Sequence, residues 1–403
     1  MEQALYKLPD GWKWKKLGDL FDIGSSKRVH QKDWTTEGVP FYRAREVVLL
    51  SKNGSVANEL FISESMYQSF AAKYGLPEKG DILVTGVGTL GACYVVKEND
   101  KFYYKDGNII CLKRKHEEIN SRFVEYAFQS SVLKRQVNDS AGAVVATYTI
   151  SRAKSTDIPF APVEVQNRIV EKLDALLTRI DTAIEHLQES VTLADALVKS
   201  SLSSMLTKHE HWDKVSLSDV CQITSKLCDP REEQYLDLFH VGGANITSFS
   251  GELISLKTAR EEKLISGKFP FDNSMVLYSK IRPYLMKVAR PSISGICSAD
   301  IYPLTPDNQK MSRDFLFYLL LSDLFTQYAI EGSSRAGMPK VNRNHLFNFE
   351  FYLPPIDEQK SICESLDVLV EKTNEVSKEL AAKLFYLTDL KASILDSAFK
   401  GEL

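Results

Sequence analysis

"IPFAPVEVQNRIVEKLDAL" (residues 158–176) and "FYLPPIDEQKSICESLDVL" (residues 351–369) are one segment written twice, 193 positions apart. Pro162 falls on Pro355, Gln166 on Gln359, Ile169 on Ile362, Glu171 on Glu364, and Leu173-Asp174 on Leu366-Asp367. Upstream, residues 122–136 match 314–328 at an offset of 192, aligning Phe123, Tyr126 and Ser130 with Phe315, Tyr318 and Ser322. Near the start, Trp12, Leu17, Asp19 and Ile23 match Trp212, Leu217, Asp219 and Ile223 at an offset of 200. The offset drifts because loops between repeated elements differ in length. The 403 residues are therefore a tandem duplication, and each copy has a variable part followed by a more alike tail.

The tails read as helices. Prolines stop the preceding strand and suit a helix start. Apolar residues then recur in steps of three and four at Ile169, Leu173, Leu176, Ile180, Ile184, Leu187, Val191, Ala194, Val198 and Met205. The second tail repeats the pattern at Ile362, Leu366, Leu369, Thr373, Val376, Leu380, Leu384, Leu387 and Ile394. This is a coiled-coil seam. About 40 residues at 1.5 Å each make a helix of about 60 Å, too long to bury its stripe alone. Its simplest partner is its own duplicate, packed antiparallel about a pseudo-two-fold axis.

The variable parts carry short β-rich runs. In the first copy these are Val39 to Tyr42, Asp81 to Thr85, Ala92 to Val96 and Asn108 to Leu112, before one or two helices around 118–137. The second copy shows Asp237 to Val241, Ser274 to Tyr278 and Ile301 to Leu304, then a helix at 312–330. The expected fold is α+β: two similar globular domains in tandem repeat, separated by a rod of two long antiparallel coiled-coil helices. The expected domains are 1–160 and 209–352, with spacer helices at 161–208 and 353–403.

Composition narrows the function. Apolar content of 44% and charged content of 26% are those of a soluble globular protein. No run of eighteen apolar residues exists, and the N-terminus lacks the apolar core of a signal peptide. Six cysteines without C-x-x-C spacing read as reduced, mostly buried thiols. A cytoplasmic location is expected. The net charge of −3 is unevenly spread, since the two variable parts carry +3 and the two tails −6. A polyanion would meet the variable parts.

"GDILVTGVGTLG" (80–91) matches G-x-G-x-x-G at Gly86, Gly88 and Gly91. That fingerprint holds a pyrophosphate only if the third glycine opens a helix. The residues after Gly91 are β-rich, so the glycines read as a tight turn. The corresponding stretch of the second copy, 273–300, replaces them with Lys280, Arg282, Tyr284, Lys287 and Arg290 around a proline. A cofactor cradle would not lose all its glycines in its duplicate, whereas a loop meeting a different stretch of polymer could. Further basic and aromatic loops lie at 24–34, 40–47, 101–108 and 331–345. Arginine and lysine suit phosphates and guanine edges. The candidate DNA-binding residues are Lys27, Arg28, Arg43, Arg45, Thr85 and Lys105 in the first copy. In the second they are Lys280, Arg282, Tyr284, Lys287, Arg335 and Lys340. Each such loop, taken singly, is equally an ordinary solvated loop. No nucleotide loop, zinc-protease helix, nucleophile elbow or EF-hand loop is present in the sequence. His209 and His211 flank Glu210 but read as a solvated linker, not a metal site. The pairs Glu117-Glu118 and Glu261-Glu262 read as surface charge.

Four stretches together carry a resemblance: "LPDGWKWKKLGDLFDIG" (8–24), the paired "APVEVQNRI" (161–169) and "PPIDEQKSI" (354–362), "YSKIRPYLMK" with "GICSAD" (278–300), and "ILDSAFKGEL" (394–403). In this order the chain resembles, over essentially its whole length, the specificity subunits of Type I restriction–modification systems. The first helix start departs from the family's form, with Val165-Gln166 where the second has Glu358-Gln359. The resemblance implies a non-catalytic subunit whose two target-recognition domains each read one half of a split, asymmetric double-stranded DNA site. It implies helices that set the spacing and dock two methyltransferase (modification) subunits, with two restriction subunits completing the complex. S-adenosylmethionine, ATP and magnesium would then belong to those partners, with no cofactor in this chain and no membrane contact. The half-sites should lie about one helical turn (~34 Å) apart between centres. The alternative is a scaffold that carries two protein- or ligand-binding globules on a helical rod and never touches DNA.

Overall fold

The computed structural model describes residues 6–139, 146–207, 209–333 and 338–403. The chain divides into two compact units, residues 1–187 with 382–403, and residues 188–381. Each unit thus takes part of the central helix (Val163–Met205) and part of the C-terminal helix (Ile356–Lys400). None of the described helices is long and apolar enough to cross a membrane.

In the first unit, β1 (Lys13–Lys16) pairs antiparallel with β8 (Asp157–Phe160), the strand that leads into the central helix. The main sheet runs β2 (Phe21–Gly24), β7 (Ile109–Arg114), β4 (Ile82–Thr85), β5 (Cys93–Val95), all antiparallel. Strand β4 is buried at every position because both faces are covered. Side chains alternate across a strand. Ile82 and Val84 meet α2 (Ser121–Gln129) and α3 (Ser131–Asn138) in one core, while Leu83 meets Val47 and Leu50 of α1 (Ala44–Asn53) in another. A second small sheet sets β3 (Val39–Tyr42) parallel to β6 (Tyr103–Tyr104). A short helix, α4 (Ile150–Ser155), precedes β8.

The second unit repeats this frame. Strands β9 (Asp213–Ser216) and β17 (Glu350–Leu353) pair as β1 and β8 do. The main sheet runs β10 (Cys221–Gln222), β16 (Ile301–Pro306), β13 (Val276–Ser279), β14 (Val288–Ala289). Again the central strand divides its side chains. Val276 and Tyr278 face a core with α5 (Arg313–Leu321) and α6 (Asp323–Glu331), and Leu277 faces a smaller one. That smaller core belongs to a second sheet, in which β11 (Phe239–Val241) lies parallel to β15 (Gly295–Ser298) and β15 antiparallel to β12 (Lys268–Phe271). The last short helix is α7 (Arg343–Phe347).

The single helix expected at 312–330 is two. Ser322 ends α5 in extended backbone and its hydroxyl accepts from Phe325 N, capping α6. Ser130 marks the same break between α2 and α3. Serine competes for backbone bonds and so favours caps over helix interiors.

The paired tail motif has a structural reason in each copy. Gln166 and Gln359 are fully buried. Gln166 accepts from Asn120 N at 2.9 Å and donates to Ala161 O at 2.8 Å. Gln359 accepts from Ser312 N and donates to Lys310 O and Pro354 O, all at 2.8 Å. One amide thus ties the start of each long helix to the start of α2 or α5. Two turns further on, Asp174 takes the Tyr126 hydroxyl and Asp367 takes that of Tyr318.

Within the first unit, Leu173, Leu177 and Ile180 of the central helix share a core with Leu395, Ala398 and Phe399 of the C-terminal helix. Lys391 bridges to Asp181 at 2.6 Å. Within the second unit, Leu202 of the central helix shares a core with Cys363 and Leu366. The first part of one helix meets the last part of the other, so the two run antiparallel. The expected seam needs two corrections. Leu177, not Leu176, is the buried leucine of its turn, and Val376 of the second tail is 48% exposed.

Candidate nucleic-acid interface

Strand pairing brings the first unit's candidates together. Because β3 and β6 are parallel, Arg43 and Lys105 follow adjacent strand ends, and Lys105 N donates to Tyr42 O at 2.8 Å. Segment 25–28 folds over them: Ser26 Oγ donates to Tyr104 O at 2.6 Å and Lys27 N to Tyr103 Oη at 3.0 Å. The Lys27 ammonium lies 5.0 Å from the Tyr74 ring centroid. Arg28 pairs with Asp106 at 3.0 Å with 71% of its side chain still exposed. Lys105 has no side-chain partner among the described residues.

The two arginines of α1 differ. Arg45 makes a two-pronged pair with Glu59 at 3.0 Å on the surface. Arg43 caps α1 and pairs with buried Glu46 at 2.8 Å. Burial opposes the Glu46 carboxylate, but the bonds from Arg43 outweigh it and hold its pKa below the usual value. Arg43 is thereby fixed as part of the helix start.

Thr85 lies inward. It is fully buried, its hydroxyl donates to Thr89 O and accepts from Ala92 N, and it fastens the glycine turn from inside. The turn leads into β5 with no helix between, and Gly88 and Gly91 take the left-handed backbone that favours glycine.

In the second unit five candidates gather at the β13–β14 connection. Lys280, Arg282, Tyr284 and Lys287 lie on it, and Lys340 joins from a neighbouring segment. Ile281 bridges Lys340, Arg282 N donates to Pro339 O at 2.9 Å, and Val341 N donates to Lys280 O at 2.9 Å. Asp300 sits between Lys280 and Lys340, at 3.6 and 3.3 Å. Lys280 is largely covered, and burial, then Lys340, lowers its pKa. Lys287 Nζ donates to Gly243 O. Arg282 and Tyr284 point outward, and neither has a side-chain partner among the described residues. Arg282 holds φ 51°, followed by Pro283 at the first position of a 3₁₀ turn. Arg335 lies outside the described residues.

The segment that fastens the loop was among the candidates in the second unit, where it carries Lys340, but not in the first. In the first unit Tyr148 N donates to Gly86 O at 2.9 Å, just as Val341 N does to Lys280 O. Tyr148 and Val341 are 193 positions apart, the offset of the tails, and each precedes a capping residue, Thr149 or Asn342. That offset was the signal available. One sequence reading is corrected and another is sharpened. Glu262 takes His240 Nδ1 at 2.7 Å, where burial lowers the histidine pKa despite this partner. Glu358 takes His211 Nε2 at 2.7 Å and Trp212 Nε1 at 3.0 Å, so His211 is fastened.

The family model for the Type I restriction modification DNA specificity domain matches residues 9–193 and again 209–385. The Type I restriction enzyme EcoDI specificity subunit of Escherichia coli is 26% identical, over 98% of this chain and 90% of its own length. The StySPI specificity subunit of Salmonella potsdam is 24% identical over 72% and 67%. Among solved structures, a chain from work on assembly and conformational transition of the type I R-M system superposes with a TM-score of 0.76. It is 20% identical and covers 99% of this chain and all of its own. The HsdS subunit of Thermoanaerobacter tengcongensis follows with a TM-score of 0.56 at 20% identity, both chains covered in full.

Proposed function

The chain belongs to the Type I restriction–modification DNA specificity family and recognises DNA target sequences; from that premise we propose that each copy reads one half of a bipartite, asymmetric duplex site. One observation carries this division. The two copies build the same hairpin on the same sheet and fasten it the same way, yet one hairpin is a glycine turn and the other carries Lys280, Arg282, Tyr284 and Lys287. A shared frame with unlike loops suits two unlike half-sites.

In this reading Lys27, Arg28, Arg45 and Lys105 face the first half-site, and Arg282, Tyr284, Lys287 and Lys340 the second. Arg43 and Lys280 contribute mainly by holding their loops. The chain itself performs no bond chemistry. It works in the cytoplasm beside its DNA, with two modification subunits using S-adenosylmethionine and two restriction subunits using ATP and magnesium. The long helices set the gap and dock the modification subunits. Exposed Phe385, Tyr386 and Leu390 on the C-terminal helix are apolar side chains that such a partner would cover.

The test is selection from a randomised duplex library by the chain with its modification subunits, at two salt concentrations. Two unlike sequence blocks at a fixed gap should emerge, with affinity falling steeply as salt rises. Salt-insensitive, sequence-blind behaviour would favour the scaffold alternative.

A further inference from the structure

The second unit contains a connection that the first builds differently. After β3 the first unit forms α1 over its sheet. After β11 the second has instead a tight loop, 246–253, closed by an Ile246–Leu253 bridge and by Thr247 N donating to Glu252 O at 3.0 Å. At its tip Phe249 adopts φ 64°, a rare conformation for an aromatic residue. Its N–H donates to Met286 O at 3.0 Å. Met286 closes the loop that carries Arg282 and Tyr284, and it too is left-handed, with φ 47°. Two bulky residues hold unfavourable backbone on either side of one hydrogen bond. Such geometry persists only where the surroundings over-determine it.

The surroundings are the two long helices. The Phe249 side chain packs against the second unit's core and lines a groove with Val198 and Leu202 of the central helix and Leu366 and Val370 of the C-terminal helix. Lys199 Nζ lies 5.3 Å from the Phe249 ring centroid. Behind the tip, a β-carbon on Gly251 would run into Val288 O on β14 and the Phe317 ring, so the loop is pressed against the strand that follows the Arg282 loop. Contact is therefore continuous from the helix pair through Phe249 to Met286.

We propose that Phe249 is a positioning residue for the second half-site, setting the Arg282 loop by reference to the helix pair. The inference rests on the reading that this loop faces DNA. Because Phe249 touches helices and loop at once, a shift of the Lys199 face moves Met286 and the side chains ahead of it. By linkage, a duplex that fixes the loop also favours one arrangement of Lys199 and Phe249. Among the described residues of the first unit, none but glycines holds a positive φ, so this left-handed pair belongs to the second unit alone.

The test compares Phe249→Gly, Phe249→Leu, Lys199→Gln and Arg282→Ala in the full chain bound to its modification subunits. Phe249→Gly keeps the left-handed backbone and removes the ring, Phe249→Leu keeps most of the packing, and Lys199→Gln sits on an exposed helix face and leaves folding intact. Each complex selects from a duplex library randomised through both half-sites. Phe249→Gly should reduce base preference in part of the second half-site about tenfold, with Phe249→Leu and Lys199→Gln intermediate and the first half-site unchanged. A merely structural role would weaken all sequences alike and leave preference intact, which overturns the proposal. Unaltered preference in the Phe249 and Lys199 variants overturns it too, and if Arg282→Ala still blurs the second half-site the underlying reading stands. If Arg282→Ala blurs nothing, that reading fails and the proposal with it.

Discussion

Arg282 joins three observations at one side chain: exposed placement, left-handed backbone, and no side-chain partner among the described residues. A guanidinium held this way suits the two acceptors of a guanine edge. Arg282→Ala should cost about 1–3 kcal/mol at one base position of the second half-site and leave the first unaffected. Competition binding against single-base variants of the selected duplex measures this directly, and equal loss at both halves would assign Arg282 a packing role. Asp367 offers a contrasting case. Burial opposes its carboxylate, but bonds from Arg290 and Tyr318 outweigh burial and hold its pKa below the ordinary value. Its stabilisation is thus complete above the unfolded pKa of about 3.9 and disappears as pH falls through the lower folded value. The side chain is 43% exposed, so solvent screening leaves about 1 kcal/mol. Asp367→Asn should therefore melt below the parent at pH 7, with the difference closing as pH falls below the lowered folded value. The Leu-Asp repeat was plain in the sequence, but its purpose was not. Asp174 is held by Arg122 of α2, whereas Arg122 aligns with Asp314 in the second copy and the arginine there is Arg290, beyond β14. A partner exchanged between distant positions leaves no local pattern.

Elements were legible where one physical cause dominated. Strand β4 was expected as 81–85 and is Ile82–Thr85, since an apolar run between turn signals has few alternatives. The long helices showed through their apolar period and proline starts. Where two causes compete, reading failed: Ser322 divides a helix whose composition favours continuation, and Thr85 turns inward because the turn needs its hydroxyl. Seam position follows the same rule, as Leu176 and Leu177 differ in burial only through packing. The fully buried pair Leu173 and Leu366 defines the seam best. Replacing either by Asp buries an unpaired charge and should cost on the order of 4 kcal/mol, read as lost thermal stability. Phe385 and Tyr386 lie on the opposite, exposed side of the same pattern, 69% and 68% accessible. Phe385→Ser with Tyr386→Ser should leave melting unchanged while weakening co-purification of the modification subunits at least tenfold. Unchanged co-purification would place their dock elsewhere.

At the scale of the whole chain, the duplication was the most legible feature, because a repeat survives local divergence when enough positions keep one offset. What the repeat could not reveal is that each compact unit is completed by part of the other copy's helix, so that residues 382–403 belong with 1–187. This has a consequence for altering the gap between half-sites. Lengthening the central helix alone would slip its seam, because Asp181–Lys391 lies before the boundary at Leu187 and Leu202 with Leu366 lies after it. Seven residues inserted after Leu187, with seven more after Ala381, keep both apolar stripes in phase, since seven residues are close to two helical turns. At 1.5 Å per residue the added helix is about 10 Å long, the rise of about three base pairs at 3.4 Å each. The doubly lengthened chain should select the same two half-sequences with a gap about three base pairs longer, and either insertion alone should melt lower than both together. Library selection and a melting series read these outcomes independently. An unchanged gap in a stable double insertion would show that the helices do not set the spacing, while altered half-sequences would show that recognition and spacing are not separable.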